Sequence, residues 1–406
     1  MSDTNAGVLA PSAEAQARVP AADRSVTAQL VLSFGGLVIG TGEFASMGLL
    51  PNMAASMGVS VPEAGGLISA YALGVVIGSP ILAVLTARVE RRRLLVWMAL
   101  LMLVGNAASA FAHSYAYLFA ARFLAGVPHG TFFGVAAIVV ASLVPKAQRT
   151  QAIGRVMLGL AAANLAGVPL VTFLGQQLGW RSAFALIALG GGAVAVLLPV
   201  AAPRVFAEQA ASPLRELSGL KHLQVWLTLA TAAIGFGGMF AVYSYITPTL
   251  TELAGQPEGR VPLFLGLWGL GMVVGNIVGS WLADRWQSGA IIGLLVWNAV
   301  SLALFVPAAH HPVAVGVVLF VVGVGFALSP ALQSRLMDVA PDAPSLAGAM
   351  NHSAFNLSNA VGAWAGGAVI AAGWGWASTG AVASVLALAG LGIFVLALKV
   401  MRPRAL

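Results

Sequence analysis

The residue best suited to chemistry is Glu43, which lies in the sequence Gly-Thr-Gly-Glu-Phe-Ala-Ser-Met-Gly-Leu-Leu-Pro at residues 40–51. It is the only acid inside the apolar body of a long apolar run. A carboxylate among apolar groups is costly unless it faces a cavity, a partner or a proton. Because a low dielectric disfavours the charged form, we predict that Glu43 binds and releases protons or binds a cationic substrate. The alternative is a carboxyl group that stays hydrogen-bonded inside a helix bundle.

A basic pair follows later in the chain. Arg122, Gly126 and His129 occur at positions i, i+4 and i+7, which places them on one face of a helix. We predict that Arg122 and His129 relay protons or hold an anionic group, and that Arg122 lies at a depth comparable to that of Glu43. The alternatives are a buried structural ion pair for Arg122 and ordinary packing for His129.

Amide side chains form a third group. His352, Asn356 and Asn359 repeat the same spacing, and Asn164 occupies a similar place in an earlier apolar run. Such groups would line a polar cavity and bind a small hydroxylated or amide-bearing substrate. They would equally serve as hydrogen bonds between helices. Four aromatic residues are candidate walls of this site, or ordinary packing or interface-belt residues: Phe240, Tyr243, Tyr245 and Trp268. Phe44, next to Glu43, is a further candidate for substrate binding.

The composition determines which kind of element positions these residues. Of the 406 residues only 8% are charged and 59% are hydrophobic, with a mean hydropathy of +0.92. A soluble domain carries about 25% charged residues, so the chain is predicted to be an integral membrane protein. Its apolar runs are near the ~20 residues of a spanning helix and too long for barrel strands. The absence of Cys excludes disulfides, thiolate metal sites and cysteine nucleophiles.

The apolar runs predict an all-α membrane protein with twelve transmembrane helices in two six-helix, pseudo-symmetric bundles. Pro51 and Pro248 are 197 residues apart (248 − 51), and Arg88 and Arg285 have the same offset (285 − 88), as expected for a parallel repeat. Phe240 is the counterpart of Glu43. The predicted domains are a disordered tail (1–26), an N-terminal bundle (27–201), a linker (202–223), a C-terminal bundle (224–400) and a second tail (401–406).

The basic residues predict the orientation. Most of the 20 Lys and Arg residues fall in the tails and in the loops on one side, including the run Arg91-Arg92-Arg93, whereas Arg181 and Arg260 lie on the other side. The positive-inside rule therefore places both termini in the cytoplasm. The net charge of +7 is then a signal of topology, and no nucleic-acid partner is expected.

Several motifs resemble those of the major facilitator superfamily. The segment Ala83-Val-Leu-Thr-Ala-Arg-Val-Glu-Arg-Arg92 is similar to the superfamily's loop G-x-L-x-D-R-x-G-R-R between helices 2 and 3. Ala87 replaces the usual acid, but the second copy keeps it as Asp284-Arg285. In the family this loop latches the two halves on the cytoplasmic side. The resemblance implies a gating role for Arg88, Asp284 and Arg285, and Ala87 removes one acid from the usual charge network.

Two further motifs resemble those of proton-coupled antiporters. Residues 122–130, Arg-Phe-Leu-Ala-Gly-Val-Pro-His-Gly, resemble a motif of helix 4, and the Gly and Pro residues of 159–175 resemble a motif of helix 5. With the residue 40–51 segment, they look like the twelve-span drug/proton antiporter branch. More narrowly, they resemble its arabinose-efflux-permease-like and chloramphenicol-exporter-like members.

The resemblance implies a secondary active transporter of the inner membrane that exports a small polar or amphipathic molecule, such as a sugar, nucleoside or drug, in exchange for protons. The alternatives are a proton symporter or facilitator for sugars or nucleosides, and a non-transporting membrane sensor. The expected partners are substrate, protons and the lipid bilayer, and the expected state is a monomer. We expect no enzymatic activity, cofactor or metal ion, and the sequence contains no Walker loop for ATP.

Overall fold

The computed structural model of the protein describes residues 21–86, 88–145, 149–206, 221–340 and 344–401. Throughout this part of the chain the regular structure is helical, and none of it is strand. Among the described residues, eleven helical segments are long and apolar enough to span a membrane. A further helix, Pro344–Ala371, lies between the last two of them and has 28 residues, which is about 42 Å at 1.5 Å per residue.

We number these twelve segments in chain order. The first six are α1 (Ser25–Gly48), α2 (Val61–Leu82), α3 (Arg91–Ala110), α4 (Tyr115–Ser142), α5 (Ala152–Leu178) and α6 (Trp180–Ala201). The last six are α7 (Leu223–Ser244), α8 (Glu258–Ala283), α9 (Arg285–Ala308), α10 (Pro312–Val339), α11 (Pro344–Ala371) and α12 (Ser378–Val400).

Local sequence explains where helices begin, end and break. The first helix ends at Gly48, and a separate short helix, Leu50–Met57, carries Pro51 in its first turn. Ser60 caps α2 by accepting a hydrogen bond from the backbone N–H of Glu63 at 3.3 Å. This contact follows from the preference for Ser at the N-cap.

Several spans contain irregular turns near the middle. In α4 the regular helix stops at Gly126 and resumes at His129, because Pro128 has no N–H to continue the hydrogen-bond ladder. In α5 the five residues Ala163–Gly167 form a π-helical turn just before Pro169. In α10 a 3₁₀ turn occupies Gly325–Ala327. Such turns are frequent at functional sites.

The core consists of two large hydrophobic clusters. One is formed by residues between Val31 and Ala202, entirely within the first six spans. The other is formed mainly by residues between Val225 and Phe394, and residues of α1, α2 and α5, such as Phe44, also belong to it. The fold is therefore the predicted all-helical membrane architecture with two bundles. The predicted tails and linker fall largely on residues 1–20, 207–220 and 402–406, outside the described residues, and the domain boundaries stay predictions.

Two side-chain hydrogen bonds join the two bundles at one end. The hydroxyl group of Thr247, just after α7, lies 3.1 Å from the carbonyl oxygens of both Met47 and Gly48 at the end of α1. Ser69 of α2 donates to the carbonyl oxygen of Ala360 in α11 at 3.4 Å. These hydrogen bonds close the space between the bundles at the end where α1 finishes.

Glycines allow the closest approaches between helices. A Cβ atom on Gly126 of α4 would collide with the backbone carbonyl group of Tyr71 in α2. A Cβ on Gly134, two turns further along the same helix, would meet nothing within 4 Å. The spacing of Gly126, Gly130 and Gly134 predicts one contact face, but in the structure only the first two pack against α2.

This difference supplies a matched pair of substitutions. Gly126→Ala is expected to destabilise the protein by about 1–3 kcal/mol, because backbone atoms must move to admit the methyl group. Gly134→Ala is expected to be neutral or to stabilise α4 by up to about 1 kcal/mol, because Ala has the higher helix propensity. Thermal unfolding of the purified protein in detergent measures both. Equal melting temperatures for the two variants would show that the α2–α4 contact has been misassigned.

Candidate functional site

Glu43 is a buried acid near the end of α1, with 5% of its surface exposed. Asn359 of α11 directs its side-chain Nδ2 toward Glu43 Oε1 at 3.5 Å. His129 of α4 places its ring Nδ1 3.8 Å from Glu43 Oε2. One oxygen of the carboxyl group therefore faces the C-terminal bundle, and the other faces the N-terminal bundle.

His129 is shared between Glu43 and a tyrosine that the sequence did not single out. The hydroxyl group of Tyr71 in α2 lies 3.1 Å from the same ring Nδ1 that faces Glu43. A ring nitrogen that carries a hydrogen donates, and one without a hydrogen accepts. With Nδ1 protonated, His129 donates toward the Glu43 carboxylate, and with Nδ1 unprotonated it accepts from Tyr71. The partner of His129 thus depends on where its proton lies.

Arg122 lies beside this group and is completely buried. Its Nη2 donates to the backbone carbonyl oxygen of Gly42 at 2.8 Å. Its guanidinium carbon lies 4.7 Å from the centre of the Tyr71 ring and 5.0 Å from that of Phe184, distances at which cations are attracted to aromatic faces. Arg122 therefore holds the backbone next to Glu43, and within the described chain it forms no direct ion pair with that carboxyl group.

A cavity of about 130 Å³ lies next to Glu43. Seven of the residues predicted for the site line it: Glu43, Phe44, His129, Asn164, Phe240, His352 and Asn356. Arg122, Tyr243 and Asn359 do not line it. Asn359 contacts Glu43 directly, and Tyr243 packs behind the wall, with its ring centre 5.9 Å from that of Phe44.

Aromatic rings form much of the apolar surface of the cavity. The rings of Phe44 and Phe240 are nearly parallel, with their centres 6.1 Å apart. Phe44 comes from α1 and Phe240 from α7, so this stack joins the two bundles. On the other side the ring of His352 stacks on that of Phe133, at 5.5 Å and with an angle of 4° between the planes.

The cavity opens toward one end of the bundle. Its lining includes Met157 to Asn164 in the first half of α5, Asn351 to Asn356 in the first half of α11, and Phe326 to Gln333 in the second half of α10. These half-helices all run to the end that carries the α4–α5 and α10–α11 loops. At the other end the Thr247 and Ser69 hydrogen bonds link the bundles. The structure is therefore open at the loop end and closed beyond Glu43.

The candidate gating residues lie at that open end. Arg88, in the loop between α2 and α3, is exposed. Arg285, at the start of α9, is also exposed and its guanidinium carbon lies 4.4 Å from the ring centre of Trp281. The side chain of Asp284 lies outside the described residues, so the proposed latch stays a prediction.

Sequence reasoning missed several residues of the site. Tyr71 contacts both His129 and Arg122. It could have been detected as a hydroxyl group inside an apolar run, since the sequence has only five tyrosines. Gln333 and Asn351 line the cavity, and both were detectable as amides in the predicted spans. The backbone carbonyl group of Gly42 left no signal, because every residue has one.

Comparison with known proteins identifies the family. A family model described as Major Facilitator Superfamily matches residues 32–352 of the chain. The chain belongs to this superfamily of membrane transporters and is not an enzyme.

Three relatives match most of the chain. The inner membrane transport protein YdhP of Escherichia coli (strain K12) is 39% identical over 91% of this chain and 96% of the relative. The putative transporter AraJ of the same strain is 33% identical over 90% and 94%. A chloramphenicol resistance protein of Streptomyces lividans is 33% identical over 82% and 86%. The resemblance predicted from the motifs is confirmed.

A solved structure supports the fold independently. A bacterial homologue of the human lysosomal transporter Spinster, in an inward-facing and unoccupied conformation, superposes with a TM-score of 0.73. The match covers 94% of this chain and 99% of the other, at 15% sequence identity. The likeness establishes the shared fold.

The environment of Arg122 gives a prediction about stability. Arg122→Lys is expected to lower the melting temperature by an amount equivalent to about 2 kcal/mol or more, because an ammonium group cannot both reach Gly42 and lie flat between two rings. Arg181 is the matched control: it lies 4.4 Å from the ring centre of Trp180 and donates to Ala112, but it is exposed. Arg181→Lys is expected to change the melting temperature little. A larger effect at Arg181 than at Arg122 would contradict the assignment.

Proposed function

We propose that the protein is a proton-coupled antiporter that exports a small polar or amphipathic molecule across the inner membrane by alternating access. One observation carries the proposal: the buried acid Glu43, next to the central cavity, is contacted by Asn359 from one bundle and by His129 from the other. Ionisable groups within the membrane-spanning segments of transporters commonly serve as proton relays. The antiporter-type motifs on α4 and α5 and the relative named for chloramphenicol resistance support export.

The proposed cycle follows from the charge state of Glu43. As a carboxylate, Glu43 accepts from Asn359 and attracts a protonated His129, so the bundles are held together next to the cavity. A proton on Glu43 removes the charge that both partners recognise. Proton and substrate then compete for the same site, since a substrate that contacts Glu43 recognises the charged form. Binding of one ligand thereby releases the other, which is the requirement for exchange.

The other site residues have supporting roles in this proposal. Arg122 positions the backbone beside Glu43, and His129 exchanges a proton with the Glu43 carboxyl group through its Nδ1. The substrate contacts Phe44, Asn164, Phe240, His352 and Asn356 in the cavity, and Tyr243 and Asn359 support its wall. Arg88, Asp284 and Arg285 gate the open end.

Orientation and assembly belong to the same proposal. The positive-inside rule assigns the open end of the cavity to the cytoplasm, so the structure corresponds to the state that loads substrate from inside the cell. The inner membrane is proposed because one relative is named as an inner membrane transport protein. The two halves are proposed to rock as bodies 27–201 and 224–400 within one monomer.

Glu43→Gln tests proton coupling. In proteoliposomes with an imposed pH gradient, this variant is expected to lose substrate movement against a concentration gradient, because the amide of Gln does not titrate as a carboxyl group does. Glu63→Gln is the matched control, since Glu63 is an exposed acid in the first turn of α2, and it is expected to retain transport.

The same assay discriminates between the classes of transporter. An antiporter moves substrate out of the compartment into which protons flow. A symporter accumulates substrate in that same compartment. Full proton-driven transport by Glu43→Gln would falsify the coupling role of Glu43. Accumulation of substrate in the compartment into which protons flow would show that the protein is a symporter and not an antiporter. Absence of flux for any substrate, with tolerance of changes at Glu43, Arg122 and Asn359, would favour a sensor.

A further inference from the structure

A second cleft, of about 200 Å³, lies between the start of α3 and the end of α6, at the open end of the protein. Its lining consists of Arg92, Arg93, Val96, Trp97 and Pro199. None of these is among the described residues that line the central cavity. The cleft is therefore a separate feature of the N-terminal bundle, and the proposed transport cycle makes no use of it.

Arg92 is held in place across this cleft. Its Nη1 donates to the backbone carbonyl oxygen of Pro199 at 3.0 Å. That oxygen is free to accept, because the residue four positions later is Pro203, which has no N–H group. Arg92 thus joins the start of α3 to the end of α6. Its side chain remains partly exposed, and its guanidinium group has further N–H donors that Pro199 does not use.

The start of α3 carries an excess of positive charge. Arg91, Arg92 and Arg93 follow one another in the sequence. The acid that contacts them is Glu90, whose carboxylate oxygens lie 3.9 Å from Arg92 Nε and 3.8 Å from Arg93 Nε. Glu90 also accepts from the backbone N–H of Arg92 at 3.2 Å, so it caps the helix. Three arginines and one acid leave two positive charges (3 − 1) over residues 90–93, and the helix N-terminus adds a partial positive charge.

The second half of the chain has no counterpart of this basic cluster. At the offset of 197 residues, positions 91–93 correspond to Ser288, Gly289 and Ala290, and Trp97 corresponds to Leu294. Both halves form six-helix bundles without sharing these arginines. The repeated fold therefore does not by itself require them.

Exposed apolar side chains continue from the cleft along the spans. Trp97, Leu100 and Val104 of α3 are exposed, and their i, i+3 and i+7 spacing places them on one face of the helix. Val196 of α6, three residues before Pro199, is exposed as well. Outward apolar faces of a membrane protein contact acyl chains, and Trp is enriched at the level of the lipid headgroups. The surface thus combines a basic cleft with an apolar track that leads away from it.

We propose that the cleft binds an anionic phospholipid, with the phosphate group on Arg92 and Arg93 and an acyl chain along the exposed face of α3 beyond Trp97. Arginine suits this role because its planar guanidinium group forms paired hydrogen bonds with phosphate oxygens. Basic pockets between helices on the cytoplasmic side are suited to such headgroups. A zwitterionic lipid fits less well, since its own cation would lie among the arginines. The apolar track distinguishes a lipid from a free phosphate.

Short-chain lipids test the proposal on the unmodified protein. The purified full-length chain, in a nonionic detergent at low ionic strength, is titrated with dioctanoyl phosphatidylglycerol, dioctanoyl phosphatidylcholine or glycerol phosphate. Binding is measured by the rise in melting temperature. The phosphatidylglycerol is expected to bind at least about tenfold more tightly than either other probe. Its binding is expected to weaken in about 0.5 M salt, which screens exposed charges.

Each of the opposite results overturns the proposal. Equal binding of the two lipids would show that the cleft does not recognise an anionic head. Equal binding of glycerol phosphate and the phosphatidylglycerol would assign the cleft to a free phosphate instead of a lipid. Absence of any shift with the phosphatidylglycerol would show that the cleft holds no such ligand.

Substitutions then locate the site. The double variant Arg92→Gln, Arg93→Gln is expected to weaken binding of the phosphatidylglycerol about tenfold. The matched control is Lys221→Gln, Lys399→Gln, which removes the same charge from two exposed residues at the same end of the protein that do not line the cleft. They lie at the start of α7 and the end of α12, which are neighbours as α3 and α6 are. The control is expected to change the affinity by less than about threefold.

Arg93→Gln alone separates binding from folding. The Arg93 side chain is 76% exposed, so this variant is expected to keep its melting temperature without lipid and to bind the phosphatidylglycerol about threefold more weakly. Equal losses in the lysine and arginine pairs would show that lipid responds to general positive charge, and would overturn the cleft as the site. Unchanged binding in the arginine variants has the same consequence. The titrations measure no transport, so their outcome is independent of the proposed function.

Discussion

The structure depends on how an apolar helix bundle accommodates one carboxyl group. Glu43 is 5% exposed, so its oxygens depend mainly on neighbouring side chains for hydrogen bonds. Asn359 and His129 supply these contacts from opposite bundles at 3.5 and 3.8 Å. Both distances are long for hydrogen bonds. The carboxyl group is thus oriented by its neighbours without being saturated by them, which leaves capacity for a proton or a ligand.

Close helix packing brings these groups together. In lipid, helices associate through small residues that let backbones approach, and Gly126 allows α4 to contact the backbone of α2 at Tyr71. This contact brings the Tyr71 hydroxyl group to 3.1 Å from His129 and places its ring beneath Arg122. A bulkier residue at position 126 would separate the two helices. The chemistry of the site therefore depends on a position that has no side chain.

Much of this arrangement was predictable from the sequence. The lengths of the apolar runs give the helices and their order. Of the residues in the two i, i+4 and i+7 series, His129, His352 and Asn356 line the cavity, whereas Arg122 and Asn359 do not. The partner of Arg122 was not predictable, because the backbone oxygen of Gly42 is not encoded by a residue type. Nor was the exclusion of Tyr243 from the lining, since side-chain direction at that position depends on the interruption of α7 at Phe236, between the helical segments that end at Gly235 and begin at Gly237. Spacing along one helix predicts which residues share a face, whereas contacts between helices depend on their rotation and separation.

The π-helical turn in α5 has a consequence for Asn164, which lies within it. A π turn holds one more residue than an α turn needs, and each residue of an α-helix accounts for about 100° of rotation. If Ala163–Gly167 returned to α geometry, the segments before and after it would turn relative to each other by about this angle. The register of a single turn thus determines whether the Asn164 side chain lies against the cavity or against a neighbouring helix. Local helix winding, as well as movement of whole bundles, can then change the affinity of the cavity for its ligand.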